Sequence, residues 1–210
     1  MRLFFFGDSI CFGQHVSPHK TWVNTVCARL CEAAPGGFVA TNASVNGNTT
    51  RMALERMPYD VQAHGVDILL VQFGMNDCNC WQTDGGLPRV SPGAFAANLA
   101  EIVERGRRFG AAKVFMNTNH PTPRTAPFGH APGSYQSGNG RYNAIIRSVC
   151  AESGAELIDV EAAWLDALAG ETALSDLLLP DGIHLSEAGH ELYAATVLPP
   201  LLEAVSSWKR

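Results

Sequence analysis

The run "VDILLVQF" at residues 66–73 is apolar throughout except at Asp67 and Gln72. A strand with one face in water alternates apolar and polar residues. A strand covered on both faces reads as a nearly continuous apolar stretch. This segment is of the second kind, so it calls for a parallel sheet with helices on both sides. Parallel neighbours need long crossovers, usually helical, and that restricts the chain to α/β architectures.

The remaining sequence supplies the other parts. Residues 2–6, with "LFFF" at their centre, read as a first buried strand. Further strands are expected at 38–45, 113–117 and 156–160. Helices are expected at 21–33, with Trp22, Val23, Val26, Cys27, Leu30 and Cys31 on one side, and at 50–57, stopped by Pro58. Ser91 followed by Pro92 is a cap residue ahead of proline at the first helical position, so a helix starts there. Others are expected at 141–151 and from Ser186, the last broken or kinked by Pro199-Pro200 before residues 201–208. Strands and helices alternate as in a three-layer α/β/α sandwich with a mainly parallel five-stranded sheet. The length of 210 residues suits one domain over 1–210. No repeat, linker or low-complexity tract interrupts it.

In such folds ligands sit at the carboxyl ends of the strands. The loops after those ends carry Gly7-Asp8-Ser9, then "SVNGNTT" with Gly47, then "GMND" with Asn76 and Asp77. Ahead of the last helix stands "LPDGIHLSEAGH", where Asp181 precedes His184 by three residues. A serine hydroxyl becomes a useful nucleophile only beside a base, and the base needs an acid to orient it. Asp181 and His184 are close enough for one turn to join them, which leaves Nε2 of His184 free to face Ser9. Charge developing on a substrate oxygen needs donors. The backbone N–H groups of Ser9 and Gly47 and the side-chain amide of Asn76 are the candidates. Asp8 and Asp77 read as acids that brace their own turns.

These four ordered blocks resemble the SGNH/GDSL hydrolases, a superfamily of serine esterases and lipases, and together they span almost the whole chain. The resemblance implies a flavodoxin-like SGNH fold and ester hydrolysis through an acyl-enzyme. It implies Ser9 as nucleophile, His184 as base, Asp181 as its orienter, and Ser9, Gly47 and Asn76 as the oxyanion hole. Two positions depart from the family habit. Cys11 stands where a hydroxyl residue is frequent, and Asn48 where an acid often follows the glycine; both are expected to affect the pocket wall or local hydrogen bonds. The G-x-S-x-G elbow of the α/β-hydrolases is missing.

Two long loops, 78–90 and 119–138, are expected to wall the pocket. From them Trp81, Arg124 and Tyr135 are the candidate substrate contacts, with His15, His19, His120 and His130 as weaker ones. They suit a small-molecule or carbohydrate ester, and the expected activity is removal of a short acyl group such as acetyl. A lysophospholipase, a thioesterase or an acyltransferase using the same groups is the alternative, and an idle binding module on the same scaffold a further one. An acid pair of Asp84 and Asp181 for glycoside hydrolysis would leave the serine without a task.

A formal charge of −5 argues against nucleic acid as a partner. No apolar run is long enough to span a bilayer. Residues 3–6 are too short for a signal-peptide core, so a cytoplasmic location is expected, with secretion open had a leader been trimmed. The six cysteines are expected as free thiols. Cys78-Asn79-Cys80 lacks the partners of a zinc site. The mechanism calls for no metal and no cofactor. Oligomeric state is not legible in the sequence.

Overall fold

Side chains of Leu3, Phe5, Phe6, Ile68, Leu69 and Leu70 are wholly out of solvent, which is what both-face burial of neighbouring strands demands. The computed structural model describes residues 1–208. It places five strands in one parallel sheet: β1 (Arg2–Gly7), β2 (Val39–Asn42), β3 (Ile68–Gln72), β4 (Lys113–Asn117) and β5 (Glu156–Ile158). Their spatial order is β2-β1-β3-β4-β5, the flavodoxin-like doubly wound order. The register runs Phe4 beside Leu69 and Leu69 beside Val114, so the apolar centres of three strands stack in one layer.

Helices cover both faces. They are α1 (Ser9–Phe12), α2 (Trp22–Ala33), α3 (Thr50–Asp60), α4 (Pro92–Arg108), α5 (Tyr135–Ser153), α6 (Val160–Leu168), α7 (Leu174–Leu177) and α8 (Glu187–Ser206). α2 packs on α8, and α4 packs on both α3 and α5. Trp22 of α2 ties the α2–α8 pair to α1. Its indole N–H donates to the Ile10 carbonyl at 2.8 Å, and its ring stacks on Tyr193 of α8. The strands all run parallel, but the order in which the chain adds them reverses between β1 and β3, and the loops leaving those two strands therefore open a crevice at their carboxyl ends.

Several local expectations are corrected. Pro58 does not stop α3. It lies in the last turn, and Val61 N–H still bonds the Met57 carbonyl at 3.1 Å. α5 begins at Tyr135, not at 141. Gly138 and Gly140 weaken the helical signal there, but Ser134 and Ser137 form a reciprocal capping box and Tyr135, Asn139 and Tyr142 are buried. The strand at 156–160 ends at Ile158, because Asp159 accepts from Ala162 N–H and starts α6. α8 runs through Pro199-Pro200 to Ser206, with Val197, Leu201, Ala204 and Val205 buried on either side of the prolines. Strand 38–45 shortens to Val39–Asn42, and Cys31 is exposed while Cys27 is half-buried, so Cys31 is not on the core side of α2. All six thiols are unpaired.

Candidate active site

Gly7 closes β1, and Asp8 caps the short helix α1 by accepting from the Ile10 N–H at 3.0 Å. That cap puts Ser9 at the first helical position, at the carboxyl end of β1. The side of Gly7 has no room for a methyl group: a Cβ there would lie 2.6 Å from Cβ of Cys11 and 2.8 Å from the Gln72 carbonyl. Cys11 itself is fully buried, with its thiol pushed up by burial. It packs beneath the turn, where its N–H donates to Gln72 Oε1 at 3.1 Å and its carbonyl accepts from Asn42 Nδ2 at 3.1 Å, so of the two expectations for it the structure carries the local hydrogen bonds.

His184 reaches Ser9 from the other end of the chain. Its Nε2 lies 3.0 Å from Ser9 Oγ, and its Nδ1 lies 2.7 Å from Asp181 Oδ2. The other carboxylate oxygen, Oδ1, accepts the backbone N–H groups of Ile183 at 2.8 Å and His184 at 2.9 Å. One short turn thus fixes the acid and aims it at the ring. Burial would push the Asp181 carboxyl up, but the His184 ring and these two N–H donors hold it below its ordinary value. A neutral His184 with its proton on Nδ1 presents the Nε2 lone pair to the serine hydroxyl, the arrangement that lets serine lose its proton on attack.

The turn is held from below. His120 is fully buried, and its Nε2 lies 2.8 Å from the Ile183 carbonyl. Burial lowers its pKa to about 4, so the ring is neutral and donates through Nε2. From above, Arg124 donates to the Asp181 carbonyl from Nε at 3.1 Å and Nη2 at 2.7 Å. Neither role was legible in the sequence, where both residues are loop residues with no acid or amide at a telling spacing.

The second loop turns at Val45–Asn48, closed by Asn48 N–H on the Val45 carbonyl at 3.2 Å. Gly47 sits there with φ +74, which glycine adopts without strain. Val45 N–H bonds the Gly7 carbonyl at 3.1 Å and ties this loop to the end of β1. Asn48 is buried, and its Oδ1 accepts from Arg56 Nε at 2.6 Å. In the third loop, Asn76 Nδ2 donates to Asp8 Oδ2 at 3.2 Å. Asp77 is wholly buried and caps α3, accepting from Thr50 N–H at 2.9 Å and from its hydroxyl at 2.5 Å. Burial raises the Asp8 carboxyl to about 7, the nearby Asp77 adding to the rise; burial raises Asp77 to about 6.

Of the three expected substrate contacts, Trp81 and Arg124 are open to solvent, and Trp81 alone lines a cleft. It is 48% exposed and lines a cleft of about 400 Å³ with Thr49, Met52, Leu87 and Arg89. Arg124 is exposed, but its guanidinium is engaged by Asp181. Tyr135 is a correction: it is 3% exposed, and its hydroxyl donates to the Met75 carbonyl at 2.8 Å, so it supports the third loop from behind. His15 stands edge-on to His184 with ring centroids 5.1 Å apart, at φ +72. His15, Asp181 and His184 bring donor atoms within 4.8 Å of one another. The shortest link among them is the Asp181–His184 hydrogen bond, which a cation would have to break.

The crevice at the switch point of a doubly wound sheet, with a hydroxyl, an imidazole and a carboxylate in line, has the layout of an ester-bond hydrolase. The comparisons agree. Residues 5–192 match the GDSL-like Lipase/Acylhydrolase family, and the chain belongs to that family. It is 28% identical to an arylesterase of Vibrio mimicus over 120 residues, which cover 57% of this chain and 56% of that protein. It is 23% identical to the esterase TesA of Pseudomonas aeruginosa over 93% of this chain and 85% of that one. A Bacillus subtilis relative named as an uncharacterized lipoprotein, YqeF, is 28% identical over 88% of this chain and 82% of its own. Among solved structures, the acetylxylan esterase Axe2 of Geobacillus stearothermophilus shares the fold with a TM-score of 0.76 at 20% identity, covering 99% of this chain and 94% of that one. The hydrolase LAE5 from a Lake Arreo metagenome reaches 0.78 at 22%, covering 100% and 96%. Among the described residues no helix is long and apolar enough to cross a membrane.

Proposed function

We propose that the chain is a serine esterase that removes a short acyl group, such as acetyl, from a polar or carbohydrate substrate. Ser9 attacks the ester carbonyl as His184 Nε2 takes its proton. Asp181 keeps the imidazole oriented and stabilises it once it is charged. Ser9 N–H, Gly47 N–H and the Asn76 amide receive the negative charge on the carbonyl oxygen. The alcohol leaves with the proton from His184, and water, activated in the same way, frees the acid. The observation that carries this reading is the unbroken line from Ser9 Oγ to Nε2 at 3.0 Å and from Nδ1 to Asp181 Oδ2 at 2.7 Å.

The polar-substrate part rests on the half-exposed Trp81, whose outer face suits stacking on a sugar ring, beside Arg51 and Asp84 in the same cleft. The shared fold with an acetylxylan esterase points the same way. A second reading, lysophospholipase or thioesterase, draws on Met52 and Leu87, which are 41% and 69% exposed on that cleft. The two are separated by kcat/KM on acetylated xylooligosaccharides, on p-nitrophenyl octanoate and on a palmitoyl thioester. Preference for the acetyl sugars is expected. Preference for either long-chain substrate would replace the first reading by the second.

A further inference from the structure

Arg89 lies at the end of the 78–90 loop and touches both outlying oxyanion candidates. Its Nη1 is 3.1 Å from the Gly47 carbonyl and 3.4 Å from Asn76 Oδ1. Its guanidinium carbon stands 4.3 Å from the centre of the Trp81 ring. The backbone delivers it there: Arg89 N–H bonds the Asn79 carbonyl at 2.9 Å, and Val90 N–H bonds the Asp77 carbonyl at 3.1 Å. The loop therefore leaves the third strand, runs out to Trp81, and returns to set one side chain against the residues it started from.

The polarity of the contacts matters. A side-chain amide has an acceptor end and a donor end of nearly equal shape, and its neighbours decide which way it faces. Arginine only donates, so it must meet Oδ1 of Asn76. In its ionised form, present above a pKa of about 7, the Asp8 carboxylate only accepts, so Oδ2 meets Nδ2, as it does at 3.2 Å. Asn76 is thus clamped at both ends by partners of opposite kind. One N–H of Nδ2 is used by Asp8, and the other is left for a substrate oxygen. The same guanidinium nitrogen grips the turn whose N–H is the Gly47 donor.

We infer that Arg89 is a positioning residue that sets the Asn76 amide and the Gly47 turn for oxyanion binding, with Trp81 stacked on it as its brace. The inference rests on the proposed oxyanion role of Asn76. It also gives the 78–90 loop a task in the reaction that is separate from any contact with substrate.

The test is a double-mutant cycle of Arg89→Met and Asn76→Ala, assayed on p-nitrophenyl acetate with kcat and KM resolved and with folding checked by circular dichroism. Loss of a whole oxyanion donor costs about 100- to 1,000-fold in kcat, so Asn76→Ala is expected in that range. Mis-setting the same donor costs less, and Arg89→Met is expected to lower kcat by about 10-fold or more, with KM within about twofold. In the Asn76→Ala background the same change should cost less, about threefold, since only the Gly47 turn remains to be set. Arg89→Lys keeps the charge and most of the stem without the fork, and serves if the Met variant folds poorly. It should fall between wild type and Met in kcat. An equal loss in both backgrounds, a loss confined to KM, or an unchanged kcat overturns the role of Arg89. If Asn76→Ala itself leaves kcat unchanged, the oxyanion assignment fails first and this inference with it.

Discussion

Arg124 and Asp181 lie 57 residues apart and are joined by a forked hydrogen bond, Nε and Nη2 both donating to the Asp181 carbonyl. The contact holds the backbone of the residue whose carboxylate orients His184. It links the 119–138 loop from the protein side to the hydrogen-bonded line of Asp181, His184 and Ser9, where the sequence leads one to expect a substrate contact. The guanidinium is exposed, so screening leaves the bond worth about 1 kcal/mol. Arg124→Ala should lower kcat about fivefold by loosening the Asp181 turn, with lysine restoring part of it. Steady-state kinetics at saturating p-nitrophenyl acetate check this, and an unchanged kcat with a raised KM would return Arg124 to the substrate.

Gly86 joins the two long loops. Its φ is +86, and a Cβ there would fall 2.0 Å from the His130 carbonyl oxygen. Gly85, one residue earlier, has φ +62 with nothing within 4 Å of the added atom. Alanine at 85 therefore meets only the left-handed backbone cost of about 1–2 kcal/mol. Alanine at 86 meets that cost and a collision with backbone. Gly85→Ala should lower the melting temperature by about 2–6 °C, and Gly86→Ala by clearly more, with a loss of activity as the loops part. Thermal denaturation of the two variants side by side decides it.

Asp8 carries a pH dependence whose sign is fixed by its shift. Burial raises its folded pKa to about 7, well above the ordinary 3.8, so the folded chain binds the proton more tightly than the unfolded chain does. Its contribution to stability is thus greatest below about pH 4 and is lost as pH rises toward about 7. Asp77, raised by burial to about 6, adds to the same trend. Across that window the wild type should lose on the order of 10 °C more in melting temperature than Asp8→Asn does, the residual slope being that of Asp77. Melting curves every half unit of pH measure it. A variant slope equal to that of wild type would show that Asp8 is not held protonated.

The proposed reactive groups, whose hydrogen-bonded line the structure brings together, could be singled out in the sequence because each follows a strand end or precedes the last helix, and because Asp181 and His184 are close enough to be read as a pair. The parallel sheet was legible from one doubly buried strand. What lay hidden are side chains whose partners are remote in sequence: Arg89 on Gly47, His120 on Ile183, Arg124 on Asp181. Nothing local distinguishes an arginine that braces a turn from one that faces solvent. Tyr135 was misplaced for a related reason. Glycines at 138 and 140 masked the start of α5, so a helical core residue was read as part of a loop. Pro58 and Pro199-Pro200 were read by local rule, and burial on the neighbouring turns overrode that rule.

The central claim is that Ser9 is the nucleophile, and covalent labelling tests it most directly. A p-nitrophenyl organophosphonate is added to the wild type and to Ser9→Ala, and the adducts are mapped by mass spectrometry of tryptic peptides while residual esterase activity is followed. One adduct per chain on the peptide containing Ser9, formed in step with loss of activity and missing from Ser9→Ala, is the predicted result. Equal hydrolysis by both proteins, or inactivation with the label on another residue, would contradict it.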